Sequence, residues 1–257
     1  PLAAAEASGA SCAPGAPTVL VTGFGPFGTL RINPAEAVAR RLNGSCACGA
    51  RIETWVLPVS HSGASRVAEA LRRGVRWEAV IHLGAEDAAK GLRLEVAAAN
   101  VLAREDSHAW SAEISCNKSG SHYENIDDAL PCLYATTAPL ERLVLPTDAA
   151  REFLWPSNEL WSRDAGSFYC NEALFKTLST VRSLEIKPLR ALSSLLPVIF
   201  VHLPVYSVSE EHHAGLASLV ERLAANIIHA DEDRAVQLVG SASSAYFAAT
   251  CFDLPFE

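Results

Sequence analysis

Short apolar runs alternate with segments of helical periodicity along most of the chain. A β-branched apolar run at residues 18–22 predicts a buried first strand, and further strands are predicted at 51–57 and 78–83. Helices are predicted at 35–42, behind an Asn-Pro pair, and at 62–73. Because strands and helices alternate, the pattern predicts an α/β fold with a mostly parallel twisted sheet and helices on both faces.

The same alternation returns near the other end of the chain. Residues 172–184 favour a helix, residues 197–203 form an apolar strand pattern, and residues 209–230 place apolar side chains at helical spacing. Between about 104 and 156 the periodicity weakens, which predicts long loops of the kind that commonly carry binding residues.

The first 17 residues consist mainly of Ala, Gly, Pro and Ser and contain almost no large apolar side chain. Ordering such a segment would cost more backbone entropy than its burial returns. We therefore predict a flexible tail at 1–17 and one α/β domain at 18–257.

Composition narrows the classes of function. The chain of 257 residues is 49% hydrophobic and carries a net charge of −8, with acidic residues scattered along it, so nucleic-acid binding is not expected. No apolar run approaches the roughly 18 to 20 residues that span a bilayer, and the first residues lack the order of a secretory signal. Seven irregularly spaced cysteines do not suggest a disulfide scaffold, so we expect a reducing, cytoplasmic environment and no membrane contact.

A glycine-rich loop, Gly23-Phe-Gly-Pro-Phe-Gly28, follows the first predicted strand. Its position before a helix resembles a phosphate-binding loop, but proline removes a backbone donor and two aromatic rings occupy the loop. Two hypotheses therefore stay open for Phe24 and Phe27: the rings fold into the core, or they form an apolar wall for a small flat ligand.

A cysteine and a histidine suggest nucleophilic catalysis. Cys170 stands just before the predicted helix at 172–184, where a helix dipole stabilises a thiolate, and His202 lies at the end of an apolar strand, where α/β sheets build active sites. Alone, either residue is more often structural. Together they have the chemistry of an activated nucleophile and its base.

Glu95 is the best candidate for a carboxylate that orients the histidine. It lies in the apolar stretch Arg93-Leu-Glu-Val-Ala-Ala-Ala-Asn100, where a buried acid should be paired or functional. A solvated glutamate on an edge strand is the alternative. No cysteine or histidine cluster has the spacing of a metal site, so no metal is expected.

Three motifs resemble one known family, pyroglutamyl peptidase I, also called pyrrolidone carboxyl peptidase, a cytosolic cysteine peptidase of α/β architecture. Val19-Leu-Val-Thr-Gly-Phe-Gly-Pro-Phe-Gly28 with Asn33-Pro34 is similar to its opening signature. Asp164-Ala-Gly-Ser-Phe-Tyr-Cys-Asn171 is similar to its nucleophile motif, and Phe200-Val-His-Leu-Pro204 to its histidine motif. The chain departs from the family pattern in the turn at 85–90.

The resemblance implies removal of N-terminal pyroglutamyl (5-oxoproline) residues from peptides, without a cofactor. It assigns the nucleophile to Cys170, the general base and acid to His202 and the orienting carboxylate to Glu95. It also assigns the lactam pocket to Phe24, Phe27 and Phe168, and an oxyanion contact to Arg104. Peptides with an N-terminal pyroglutamate are the expected partners, and a homo-oligomer is compatible with the pattern. The alternative is a non-catalytic or nucleoside- or phosphate-binding α/β protein that uses the glycine-rich loop.

Overall fold

The structure is a computed structural model of the whole chain. It describes residues 12–47, 49–87, 89, 91–103, 123–143, 161–190, 194–205 and 209–228. The predicted tail at 1–17 therefore lies largely outside the described residues, as do most of the predicted loops between 104 and 156.

Eleven strands and four helices form within the described residues. The strands are β1 (Thr18–Phe24), β2 (Cys46–Ala47), β3 (Ala50–Leu57), β4 (Ala79–Glu86), β5 (Arg93–Glu95), β6 (Ala97–Ala99), β7 (Leu102–Ala103), β8 (Tyr123–Glu124), β9 (Leu133–Ala135), β10 (Trp161–Ser162) and β11 (Val198–Pro204). The helices are α1 (Pro34–Leu42), α2 (His61–Arg72), α3 (Tyr169–Ser183) and α4 (Glu210–Ile228), and Leu140–Arg142 forms a short 3₁₀ turn.

Seven of these described strands form one sheet in the order β10-β5-β11-β4-β1-β3-β2. The centre is parallel: β4 pairs with both β1 and β11, and β1 pairs with β3. The short strand β5 runs antiparallel to β11. Two small antiparallel ladders, β6 with β9 and β7 with β8, lie outside this sheet. The predicted α/β class with a mostly parallel sheet is confirmed.

Side-chain alternation along β1 divides the core between the two faces of the sheet. Val19 and Val21 pack with α1 and α4 in one cluster, whereas Leu20 packs with α2 and α3 in the other. Helices therefore cover both faces, as predicted, and the central strands β1, β4 and β11 are almost fully buried. No described helix is both long and apolar enough to cross a membrane.

The predicted elements agree with the observed ones to within three residues at nearly every end. The strand predicted at 18–22 continues to Phe24, and the helix predicted from 172 already begins at Tyr169. The short strands from β5 to β10 were not predicted, because two or three residues show no periodicity. Phe24 is therefore the last residue of β1, and Cys170 is the second residue of α3.

Candidate active site

The candidate site lies at the carboxyl ends of the parallel strands. The ends of β4 and β11 meet the first turn of α3 there. His202 lies on β11 opposite Gly84 of β4, and Cys170 is the second residue of α3. On the other side of β11, β5 places Glu95 opposite Phe200. Strand register therefore brings together the three residues that the sequence singled out for nucleophilic catalysis.

Glu95 and His202 form a buried pair. The Nδ1 atom of His202 lies 2.8 Å from Oε1 of Glu95, and the side chains are 3% and 0% exposed. The hypothesis of a solvated edge glutamate is therefore wrong. The second carboxylate oxygen, Oε2, is buried and has no hydrogen-bond partner among the described residues. A carboxylate held in this way is stabilised chiefly by a positive charge on the histidine.

The charge state of His202 is set by its two partners. Burial alone would lower the pKa of His202, because desolvation disfavours the charged ring. Hydrogen bonds and charge interactions with Cys170 and Glu95 outweigh that cost and raise the pKa to about 10. At neutral pH the ring is therefore an imidazolium, held between the sulfur of Cys170 and a carboxylate.

Cys170 is a half-buried free thiol among the described cysteines. It lies in the first turn of α3, where the helix dipole favours a negative charge. The sulfur of Cys170 therefore lies beside two sources of positive charge, the first turn of α3 and the imidazolium of His202.

Gly84 allows the ring of Phe200 and the sulfur of Cys170 to lie close to β4, and it was not among the predicted site residues. A Cβ atom at this position would lie 2.6 Å from Cζ of Phe200 and 3.0 Å from Sγ of Cys170. Any other residue would force the phenyl ring or the sulfur to move. The signal in the sequence was a glycine at the end of a buried strand.

Asn171 fixes the helix that carries Cys170, and its role was also missed. Its amide oxygen accepts from the backbone of Ala99 at 2.9 Å, and its amide nitrogen donates to the carbonyls of Ala99 and Val101 at 2.8 and 2.9 Å. The side chain is buried. Two of these bonds tie the start of α3 to β6 and the third ties it to the residue before β7, so the position of the thiol depends on them.

A buried carboxylate also links α3 to α2. Glu172 accepts from Lys176 at 2.5 Å, and its other oxygen lies 2.9 Å from Nδ1 of His61, the first residue of α2. The ring of His61 in turn packs edge-on against Tyr169, beside the nucleophile. This cluster holds the two helices together at the site.

The three phenylalanines expected at a lactam pocket have different environments. Phe24 is 3% exposed and packs in the core, whereas Phe27 and Phe168 are 39% and 37% exposed. Asn33 positions the loop that carries Phe27. Its side chain donates to the carbonyl of Gly25 at 2.8 Å and caps α1 by accepting from the backbone N–H of Ala35. Phe27 and Phe168 are therefore partly exposed, whereas Phe24 belongs to the core.

Arg104, the residue expected to contact the oxyanion, lies outside the described residues. The turn at 85–90 is described only at 85–87 and 89. The His82 ring, two residues before Gly84, is fully buried between the hydroxyls of Thr22 and Thr177 at 2.8 and 3.2 Å. This histidine was not among the residues predicted from the sequence.

The expectation of reduced cysteines is wrong. Cys12 and Cys46 form a disulfide with their Cα atoms 5.4 Å apart, and Cys132 is also disulfide-bonded. The end of the predicted tail is thus attached to β2, and the carbonyl of Pro17 accepts from Arg51 at 2.8 Å. Long-range pairing of this kind leaves no local trace in sequence spacing.

Comparisons with known proteins give one consistent result. Residues 17–238 match the family model of pyroglutamyl peptidase, Peptidase C15. A pyrrolidone-carboxylate peptidase from Ralstonia nicotianae is 30% identical over 79% of this chain and 85% of its own length. One from Mycobacterium marinum is 29% identical over 84% of this chain and 95% of its own length.

Solved structures show the same fold. The pyrrolidone carboxyl peptidase of Thermococcus litoralis aligns with a TM-score of 0.62 at 22% identity, over 83% of this chain and 94% of that one. A variant of the Pyrococcus furiosus enzyme aligns with a TM-score of 0.63 at 22% identity, over 83% and 99%. The sheet and the helices that carry the site are therefore shared with these peptidases.

Proposed function

Because this chain belongs to the pyroglutamyl peptidase family, we propose that it is a cysteine exopeptidase that removes an N-terminal pyroglutamyl residue from peptides. The observation that carries the proposal is the 2.8 Å contact between His202 and Glu95, beside the free thiol of Cys170. The contact keeps a histidine charged next to a cysteine, which is the arrangement of an activated thiolate.

The thiolate of Cys170 attacks the carbonyl carbon of the pyroglutamyl residue and forms a tetrahedral intermediate. His202 then donates a proton to the departing amine, the C–N bond breaks, and a thioester remains on Cys170. Water loses a proton to His202 as it attacks the thioester. 5-Oxoproline is released and the thiolate and imidazolium are restored, so the cycle needs no cofactor.

Glu95 acts through His202 in this cycle. Its contact with Nδ1 leaves Nε2 of the ring to face the sulfur and the leaving group. A fixed ring needs no reorientation between the two proton transfers, and the carboxylate stabilises the imidazolium in each resting state. Glu95 is therefore a positioning residue that does not itself receive the proton.

Specificity for a lactam follows from the apolar rings at the site. Phe27 and Phe168 present partly exposed rings, and Phe24 supports the loop from the core. An uncharged five-membered ring can be buried against them, whereas the charged terminus of an ordinary peptide would lose its hydration there without a partner. Peptides that begin with pyroglutamate are the proposed substrates.

The phosphate-binding alternative is not supported by the loop geometry. The amide of Gly25 donates to Leu57, that of Leu30 to Phe27, and that of Ala35 to the side chain of Asn33. Pro26 and Pro34 carry no amide hydrogen. The loop therefore uses internally several of the donors that a phosphate cradle requires.

Hydrolysis of a pyroglutamyl-aminocoumarin substrate tests the proposal. We expect thiol-dependent turnover that iodoacetamide abolishes, with Cys170 as the alkylated residue in a peptide map. Cys170→Ser should keep the fold by circular dichroism and lose at least about a thousandfold in kcat/KM, because a hydroxyl is poorly activated by this base. Full turnover in the serine variant would refute the assignment, and so would an active enzyme with Cys170 fully alkylated.

The cytoplasmic location expected from the cysteine count stays a prediction. Its premise was a set of reduced cysteines, and the disulfide between Cys12 and Cys46 weighs against that premise.

A further inference from the structure

The cysteines divide into one free thiol and a set available for pairing. The chain has seven cysteines, and setting Cys170 aside leaves six, an even number. Three of these six, Cys12, Cys46 and Cys132, are disulfide-bonded among the described residues, where Cys170 is free. Disulfide-bonded cysteines together with one free nucleophilic thiol are the pattern expected of an enzyme folded in an oxidising compartment.

An acceptor motif for N-linked glycans lies three residues before one of the paired cysteines. Asn43-Gly44-Ser45 has the form Asn-x-Ser with no proline in the middle. A motif of this length also arises by chance, so it needs support from position and environment. The position and the environment of Asn43 at the C-terminal end of α1 provide this support.

Asn43 is exposed at the C-cap of α1, and its side-chain amide makes no hydrogen bond within the described residues. Its backbone N–H donates to Arg40 at 3.4 Å. Gly44 follows with a φ of +81°, which turns the chain towards β2 and directs the asparagine outwards. A glycan on Asn43 would displace no hydrogen bond of this side chain within the described part of the chain.

The acceptor site is remote from the catalytic residues. The backbone N–H of Gly44 donates to Ile52 of β3, and Ile52 pairs with Val19 near the start of β1. The catalytic residues lie at the other end of the sheet, at the level of Phe24. Five strand residues separate the two levels, or about 17 Å along the sheet. A glycan there is compatible with access of a peptide to Cys170.

We propose that Asn43 is an N-glycosylation site and that the protein matures in an oxidising secretory compartment with Cys170 as its working free thiol. The donor is an oligosaccharide linked to a polyprenyl pyrophosphate. Nδ2 of Asn43 forms a bond to C1 of the first sugar while the bond from C1 to the pyrophosphate oxygen breaks, and the polyprenyl pyrophosphate leaves with the bonding electrons and takes up the proton lost by Nδ2. A disulfide at Cys46 and a glycan at Asn43 then come from the same compartment.

The test uses the protein isolated from its native cells, digested without reduction after blocking of free thiols. We expect a disulfide-linked peptide pair that contains Cys12 and Cys46, an alkylated Cys170, and a glycopeptide that contains Asn43. The mass of the intact glycopeptide is read directly, because an Asn-Gly bond can deamidate and mimic enzymatic deglycosylation. An unmodified Asn43 peptide would overturn the glycan, and blocked thiols at Cys12 and Cys46 would overturn the compartment.

Variants secreted from a eukaryotic host separate this site from the second acceptor motif, Asn117-Lys-Ser119, which lies outside the described residues. Asn43→Gln should lose one glycan by intact mass, whereas the matched control Ser45→Thr keeps the motif and should keep the glycan. Turnover of the pyroglutamyl substrate should change by less than twofold in Asn43→Gln. An unchanged glycan count in Asn43→Gln would refute the site even if the enzyme is active.

Discussion

Two buried histidines lie on neighbouring strands of the sheet and have opposite charge states. His82 on β4 is held by the hydroxyls of Thr22 and Thr177, and desolvation lowers its pKa to about 3. His202 on β11 suffers the same desolvation, but Cys170 and Glu95 raise its pKa to about 10. Burial is therefore common to both residues, and the partners decide which ring carries a proton.

The two rings even share a packing partner. Phe200 stacks on His82 with ring centroids 6.0 Å apart and packs against His202 at 4.7 Å. In the register of β4 and β11, His82 pairs with Phe200 and Gly84 with His202, so all four residues face the same side of the sheet. The two histidines therefore lie close together on one face of the sheet. The polar groups that contact each ring determine whether it is charged.

Removing each imidazole should separate the catalytic histidine from the structural one most strongly. We expect His202→Ala to lower kcat/KM by about 10²- to 10⁴-fold, because both proton transfers are lost. His82→Gln should change kcat/KM by less than about tenfold, since the ring of His82 contacts no reacting group. Steady-state kinetics with a pyroglutamyl-aminocoumarin substrate would measure both.

Circular dichroism and denaturant unfolding are the controls for these variants. If His82→Gln were folded and as inactive as His202→Ala, the two environments would not differ in the way proposed. Activity in His202→Ala near that of the unmodified enzyme would assign the base to another residue.

Glu95→Gln converts part of the environment of His202 into that of His82. The amide keeps a polar partner for Nδ1 but removes the negative charge, so the pKa of His202 should fall below its value of about 10. We expect about a 10- to 100-fold loss in kcat/KM at pH 7, together with an alkaline limb of the pH profile at lower pH. The measurement is kcat/KM from pH 6 to 10.

The pH profile distinguishes positioning from mere structural support. A glutamate that only stabilised the fold would lower the active fraction equally at every pH. An unshifted alkaline limb in Glu95→Gln would therefore show that the carboxylate does not set the charge of His202.

Gly84→Ala tests whether activity depends on the close approach of Phe200 and Cys170 to Gly84. The new methyl would meet the ring of Phe200 and the sulfur of Cys170 at 2.6 and 3.0 Å, so one of them must move. We expect roughly a tenfold or greater loss in kcat, since small displacements of reacting groups are costly. Gly25→Ala is the control, because its new Cβ would have no neighbour closer than 3.6 Å.

A slower alkylation of Cys170 should accompany the loss of kcat in Gly84→Ala if the sulfur is the group displaced. Unchanged kcat in Gly84→Ala would show that the site absorbs the methyl without cost.

Some parts of the fold and of the site could be predicted from the sequence, and others could not. The helices, the long strands and the places of Cys170 and His202 follow from local periodicity, because each residue stands at the end of a regular element. The contact of Glu95 with His202 depends on a three-residue antiparallel strand, and the disulfide of Cys12 depends on pairing across 34 residues. Local patterns carry no signal for such contacts, so they required the structure.

The last and smallest effect concerns stability and not turnover, and it arises from His82. Its pKa is 6.5 in the unfolded chain and about 3 in the folded one, so above pH 6.5 both states are neutral and the group has no effect on stability. As the pH falls from 6.5 towards 3, the unfolded state takes up the proton and the folded state does not. The free energy of unfolding should therefore fall by up to about 1.4 kcal/mol per pH unit from this group alone. Urea unfolding of the unmodified protein and of His82→Gln at pH 7, 6 and 5 isolates the contribution, because all other titrating groups are shared. The variant should lose less stability between pH 7 and 5, whatever its absolute stability at pH 7. Identical pH dependence in the two proteins would mean that folding does not lower the pKa of His82, and the contrast with His202 would then disappear.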